Sequence, residues 1–222
     1  TAGEKWTVSS TAREVGNFGF YEGSEEHTKL FIQRILQGAT ERGGKRIVVT
    51  ECGHAYDALR WHGANWLPET NNFEIIHITG VLGELVESGR IKLKSGFFDG
   101  NGVITFHDAC KIQRKGGHIQ EPRDILKIIA PESFKEMSPN REEAICCGGG
   151  GGVIAIKEAD PIRYAAFELK IDQVNKVGAK TVTMTCSNCR LQYTNCVEHF
   201  NLDWKITGLA QMVADALIEE EA

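Results

Sequence analysis

Two distant stretches of this chain carry the same features in the same order, which constrains its architecture more than any single motif does. Residues 43 to 61, GGKRIVVTECGHAYDALRW, and residues 177 to 195, VGAKTVTMTCSNCRLQYTN, each read as a glycine- and lysine-bearing turn, an apolar β-branched run and then a cysteine. Cys52 falls on Cys186 at an offset of 134. Further on, Ile78-Thr79-Gly80 matches Ile206-Thr207-Gly208 at an offset of 128, so a short insertion separates the matching blocks. Upstream, residues 25 to 44 parallel residues 160 to 178, both with apolar positions three and four apart.

Each copy therefore predicts an amphipathic helix, a short strand (Arg46 to Thr50; Thr181 to Thr185), a cysteine-bearing turn, another helix, a second strand and a closing helix. Alternation of this kind specifies an α/β fold: two tandem repeats, each a small parallel-sheet, Rossmann-like unit with its chemistry at the strand C-terminal ends. The second copy has an opening strand, Gly102 to Phe106, with no counterpart in the first, so the first repeat is expected to be N-terminally incomplete and the chain to belong to a longer polypeptide. The expected division is 1–98 and 99–222.

The second copy holds Cys110, Cys146, Cys147, Cys186 and Cys189 in the pattern C-x35-CC-x38-C-x2-C. Cys-x-x-Cys alone suits zinc, iron–sulfur and redox sites alike. Thiolates are soft ligands, and a zinc ion closes its shell with four donors. Five clustered thiols exceed that number, and a polynuclear cluster would use them all. Each ligand-bearing segment also follows an apolar, strand-like stretch (VITFHDAC, EEAICC, TVTMTC), so the sulfurs should converge at one edge of a sheet.

Five glycines, Gly148 to Gly152, follow the vicinal pair. Two successive ligands to a bulky inorganic core leave little room for Cβ atoms, and glycines let the backbone turn sharply and offer N–H groups to sulfur. The rival reading, a phosphate cradle, lacks the Gly-Lys-Ser/Thr of a nucleoside-triphosphate loop.

Composition narrows the field further. Seven cysteines in 222 residues, clustered rather than spread, fit a reduced compartment and a metal site better than a set of bridges. A net charge of -5 from scattered residues gives no argument for nucleic acid, and no apolar run approaches the roughly 20 residues of a membrane span. The acidic end, residues 219 to 222, reads as a solvated tail.

At these residues the sequence resembles the cysteine-rich CCG-domain family, which includes the catalytic subunit of heterodisulfide reductase, iron–sulfur subunits of lactate and glycolate oxidation, and the DsrK-like subunit of sulfate-reducer membrane complexes. HDACKIQRKGG, EPRDILK, CCGGGGG and TECGHAYDALRW look closest to the DsrK-like and membrane-type heterodisulfide reductase branch. The resemblance implies a noncubane [4Fe-4S] cluster held by Cys110, Cys146, Cys147, Cys186 and Cys189, with Gly148 and Gly149 lining the cofactor. It further implies reductive cleavage of a disulfide on a small molecule or small protein, with Cys146, Cys147 and His107 at the chemistry. The implied partners are a ferredoxin-like iron–sulfur domain or subunit and a membrane electron-transfer subunit, and the implied location is cytoplasmic, at the inner face of the membrane through those partners.

The first copy departs from a two-cluster pattern. Ser9-Ser10-Thr11 stands where the second copy has Cys146-Cys147-Gly148, and Ala55 stands for Cys189, so the first repeat is expected to hold no cluster. Cys52 reads as a relic of a lost site and Cys196 as core packing. His107 and Asp108 should lie near the cluster's rim, where His107 either protonates a leaving thiolate or bonds a sulfur or carbonyl. Lys111, Arg114 and Arg123 are candidates to steer an anionic substrate. Alternative readings are pure electron transfer, as in the lactate and glycolate complexes, and a structural zinc domain using four of the five thiols.

Overall fold

The computed structural model describes residues 2–10, 19 and 21–218. Thr11 and the acidic end at 219–222 lie outside them. The fold is α/β, with two small parallel sheets.

The first helix, α1 (Glu25–Glu41), starts where the Ser24 side chain accepts the His27 N–H at 3.2 Å and two glutamates occupy the first turn. Its buried positions Thr28, Ile32, Ile35 and Leu36 form one stripe. Strand β1 (Arg46–Val49) then pairs in parallel with β2 (Glu74–His77), in register from Arg46↔Glu74 to Val49↔His77. Between them the chain turns into α2 (Gly53–Asp57) and continues through a π-helical turn at Ala58–Gly63. After β2 comes α3 (Ile78–Glu87), capped by His77, whose Nδ1 accepts the Thr79 N–H at 3.2 Å.

The second sheet has the order β3 (Val103–His107), β4 (Ala179–Met184), β5 (Lys205–Gly208), all parallel, with β4 central. Helix α4 (Glu121–Ile129) lies between β3 and the vicinal cysteines, α5 (Asp160–Val177) leads into β4, α6 (Ser187–His199) follows it, and α7 (Leu209–Asp215) follows β5. Gly178 ends α5 in the left-handed region, φ 67°, which glycine adopts without cost. The two aligned cysteines hold the same place: Cys52 caps α2 with φ −127° and Cys186 caps α6 with φ −123°.

Three apolar clusters hold the structure. Ile32, Leu36, Val49, Tyr56 and Leu59 unite α1 with the first sheet. Ile104, Phe106, Ile125, Leu126 and Met212 fill one side of the second sheet, where Leu85 of α3 joins them. Phe167, Val174, Val182, Met184 and Tyr193 fill the other, together with Cys147, Cys186, Cys189 and Cys196. Each such large side chain contributes about 1.5–3 kcal/mol on burial.

One expectation is corrected. The segment before Cys146 is no strand: Arg141–Glu143 is a single 3-10 turn and the chain from Ala144 is irregular. The outer edge of β3 is taken instead by residues 133–135, where Ile104 donates to the Ser133 carbonyl at 2.9 Å and Lys135 donates to that of Ile104 at 2.8 Å. No edge is left there for EEAICC to pair with.

Candidate metal centre

The five cysteines arrive from three directions. Cys110 opens a π-helical turn (Cys110–Arg114) just past β3, and Cys186 and Cys189 occupy the cap and first turn of α6 just past β4. Gln113 fixes these two ends to each other: its Oε1 accepts the Ala109 N–H at 2.7 Å and its Nε2 donates to Thr185 Oγ1 at 3.1 Å. Cys146 and Cys147 come in on the irregular segment, held by the buried pair of Arg123 and Asp108. Arg123 donates to both Asp108 oxygens, at 2.9 and 2.8 Å, and Asp108 Oδ2 also accepts the Arg141 N–H at 2.8 Å.

The sulfurs form one continuous chain of contacts. Cys110 and Cys147 both hydrogen-bond to Cys146, Cys147 lies 3.3 Å from Cys189, and the Cys189 thiol donates a hydrogen bond to Cys186. Cys146 is exposed, Cys110 is half-buried and the other three are buried, so the open side of the group is at Cys146 and Cys110. Gly53, His54, Lys111 and Gly150 line that side.

The glycine run is shaped by its neighbours. Gly148 donates its N–H to Cys146 Sγ at 3.4 Å from a backbone with φ 83°. A Cβ on Gly149 would sit 2.7 Å from the Gln192 Cβ, and Asn188 of α6 grips the Gly149 carbonyl at 2.8 Å. Only glycine lets this stretch lie against α6.

Electrostatically the group divides protons unevenly. Hydrogen bonds from Cys110 and Cys147, and then the Gly148 N–H, pull the Cys146 thiol far below its ordinary range. Its partners rise: Cys110 well above, through the Cys146 bond and burial, and Cys147 to about 12 for the same reasons. At the far end, the Cys189 bond and the Gly53 N–H pull Cys186 down to about 6 against burial. Two thiolates are thus favoured within a set of five soft donors, which suits thiophilic metal chemistry. Gly53 reaches the centre from the first half of the chain, a contribution that only tertiary packing reveals.

His107 is corrected in place. It is 1% exposed, lies on the enclosed side with a ring nitrogen within 4.8 Å of the Cys147 and Cys189 sulfurs, and neither ring nitrogen has a hydrogen-bond partner among the described residues. Burial pushes its pKa well below the imidazole range, so it stands neutral behind the thiols rather than at a rim. Arg123 is likewise fully buried in its ion pairs with Asp108 and Glu136 and cannot steer a ligand. Lys111 pairs with Asp57 at 2.6 Å. Cys196 is fully buried in the core, as expected.

Lys170 was not singled out in the sequence. Its side chain is fully buried, and burial draws its pKa down to about 8 while Cys147, Cys146 and Cys189 draw it back up. The signal lay in spacing, because Arg163, Phe167, Lys170 and Val174 all fall on the buried stripe of α5.

Residues 104–194 match the family described as the cysteine-rich domain, CCG. Over these residues the chain is similar to the CCG domain. The match spans Cys110, both vicinal cysteines, Cys186 and Cys189. Across a wider span, the chain is 26% identical over 214 residues to one of the subunits of the dihydromethanophenazine:CoB–CoM heterodisulfide reductase of Methanosarcina barkeri, covering 96% of this chain and 50% of the relative. It is 28% identical over 193 residues to the EtfAB:quinone oxidoreductase of Syntrophomonas wolfei, covering 84% of this chain and 25% of that protein. It is 30% identical over 181 residues to the probable iron-sulfur-binding oxidoreductase FadF of Bacillus subtilis, covering 81% of this chain and 23% of that protein. The chain thus spans half or less of the length of these relatives. Among the described residues no helix is long and apolar enough to cross a membrane.

Proposed function

We propose that this chain is the cluster-bearing part of an iron–sulfur oxidoreductase of the heterodisulfide reductase type. In this reading a noncubane [4Fe-4S] cluster is held by Cys110, Cys146, Cys147, Cys186 and Cys189, and a disulfide or related sulfur–sulfur bond is reduced there. The observation that carries it is the unbroken contact chain of five sulfurs, one more donor than a tetrahedral zinc ion takes. Support also comes from two backbone donors aimed at sulfur, Gly148 to Cys146 and Gly53 to Cys186.

When bound, such a cluster supplies electrons singly and presents iron to thiolate sulfur. Overall, two electrons and two protons convert one disulfide into two thiols. Cys146 and Cys110, on the open side, face the substrate entry, which Gly150 lines, while Gly148 and Gly149 let the backbone lie against α5 and α6. His107 stands behind the buried Cys147 and Cys189, with a ring nitrogen within 4.8 Å of their sulfurs. Residues 1–98 serve as a degenerate repeat without a cluster, closing the site through Gly53 and His54, and residues 99–222 form the cluster-binding repeat.

Electrons would come from a ferredoxin-like iron–sulfur domain or subunit and a membrane electron-transfer subunit, with the chain on the cytoplasmic side. The test is electron paramagnetic resonance of the iron-loaded protein with candidate thiols. A thiol-dependent signal that vanishes in Cys146→Ser supports the reading. The name of the Syntrophomonas relative, a quinone oxidoreductase, favours a second reading, electron transfer without a sulfur substrate. A loaded protein whose signal ignores every thiol selects it.

A further inference from the structure

Three cationic side chains are buried among the described residues: Arg123, Arg163 and Lys170. Two have carboxylate partners, since Arg123 pairs with Asp108 and Glu136 and Arg163 pairs with Asp160 at 2.6 Å. Lys170 has none within ion-pair distance among the described residues. Its Nζ donates to Gln173 Oε1 at 2.8 Å, a neutral acceptor, and Gln173 is in turn fixed by donating to the Pro139 carbonyl at 3.1 Å. A buried ammonium without an anion is costly, so a fold that keeps one implies negative charge nearby.

The position of Lys170 says where that charge is. It follows Phe167 by one turn on the same face of α5, the Phe167 ring meets Tyr193 at 4.7 Å, and the Tyr193 ring meets His107 at 5.1 Å. The groups whose negative charge would favour its ammonium are the sulfurs of Cys147, Cys146 and Cys189, which become thiolates as cluster ligands, and Asp108, which Arg123 already neutralises. Lys170 is thus the unpaired positive charge behind the thiols, opposite the open side at Cys146.

We propose that Lys170 is a positioning residue whose fixed charge, acting through Cys146, Cys147 and Cys189, raises the reduction potential of the cluster they hold. This rests on the iron–sulfur reading above. Each electron entering a thiolate-ligated cluster adds one negative charge to an already anionic group. An ammonium in the same low-dielectric interior offsets that charge more strongly in the reduced state than in the oxidised one.

The experiment is a mediated redox titration of the iron-loaded chain, with dithionite as reductant, in wild type, Lys170→Met, Lys170→Gln and Lys170→Arg. The two neutral variants should bind the wild-type amounts of iron and sulfide and show a midpoint shifted to more negative potential, with Lys170→Arg staying near wild type. Unchanged midpoints in Lys170→Met and Lys170→Gln overturn the proposal. If neither neutral variant holds iron while Lys170→Arg does, the positive charge serves to hold the cluster rather than to set its potential, and the proposal falls. If Lys170→Arg fails with them, shape rather than charge is what matters and the proposal falls. A wild-type chain that takes up no iron or sulfide removes the iron–sulfur reading itself.

Discussion

Arg190, one residue past the last cysteine of the site, donates from Nη2 to Glu51 Oε2 at 2.8 Å across 139 positions of sequence. The Ser187 N–H reaches the Glu51 carbonyl as well, at 2.5 Å. Glu51 itself has φ 40°, a conformation that a side-chain-bearing residue adopts only when its surroundings hold it there. These contacts bring Gly53 up to Cys186. Because the pair is partly exposed, screening limits its worth, and Arg190→Met should cost about 0.5–1 kcal/mol of stability, an effect that shrinks with added salt. Urea unfolding at low and high salt checks this, and a loss that ignores salt would point to packing of the arginine stem instead.

Cys52 and Cys196 serve as controls for the five. Cys52 caps α2, its sulfur accepting the Ala55 N–H at 3.4 Å, and Cys196 is enclosed beside Gln192, whose amide donates to its sulfur at 3.3 Å. Cys52→Ser and Cys196→Ser should leave iron content unchanged, with the second costing about 1–3 kcal/mol for a hydroxyl in the core. Serine at Cys110, Cys147, Cys186 or Cys189 should lower iron and sulfide per chain. Iron assay beside thermal melting separates the two patterns.

The Arg123 and Asp108 pair positions two ligand segments at once, because Asp108 precedes Cys110 and also holds Arg141 ahead of Cys146. Arg123→Met would leave Asp108 buried without its cation and should cost about 3–5 kcal/mol. Metal retention should fall with it. Chemical denaturation of the apoprotein measures the first effect and iron release to a chelator the second.

His77 gives the fold an acid sensitivity. It is fully enclosed, and burial, with a smaller push from His118, lowers its pKa from 6.5 to about 3. The unfolded chain therefore binds a proton that the folded chain refuses. The stability from neutral His77 is present above about pH 6.5 and is lost as pH falls toward 3, at up to about 1.4 kcal/mol per unit. His77→Gln should flatten the dependence between about pH 6.5 and about pH 5. Urea midpoints across that window decide it, and an unchanged slope would assign the sensitivity elsewhere.

Much of this architecture was legible because local signals agreed. The aligned turns, runs and cysteines of residues 43–61 and 177–195 became β1 with its Cys52 cap and β4 with its Cys186 cap. Two of the three ligand segments, those of Cys110 and of Cys186 with Cys189, do follow parallel strands, whereas Cys146 and Cys147 reach them on an irregular segment. Sequence reasoning erred where a tertiary partner decided the outcome. EEAICC has a strand's composition, yet Ser133 and Lys135 already occupy the β3 edge. Arg123 read as a candidate to steer a substrate and Lys170 drew no reading, because a lone cation is usually solvated, and only the helix stripes they share with Leu126 and Phe167 hinted at burial. His107 ends a strand whose final residues face inward, so its ring lies behind the thiols.

The most direct test of the account is the content of iron, acid-labile sulfide and zinc per chain after anaerobic preparation. The account predicts a coloured protein with about four irons and four sulfides and no stoichiometric zinc, as the proposed [4Fe-4S] cluster implies. A colourless protein holding about one zinc and no sulfide, even after anaerobic cluster loading, would contradict it and leave a structural metal domain.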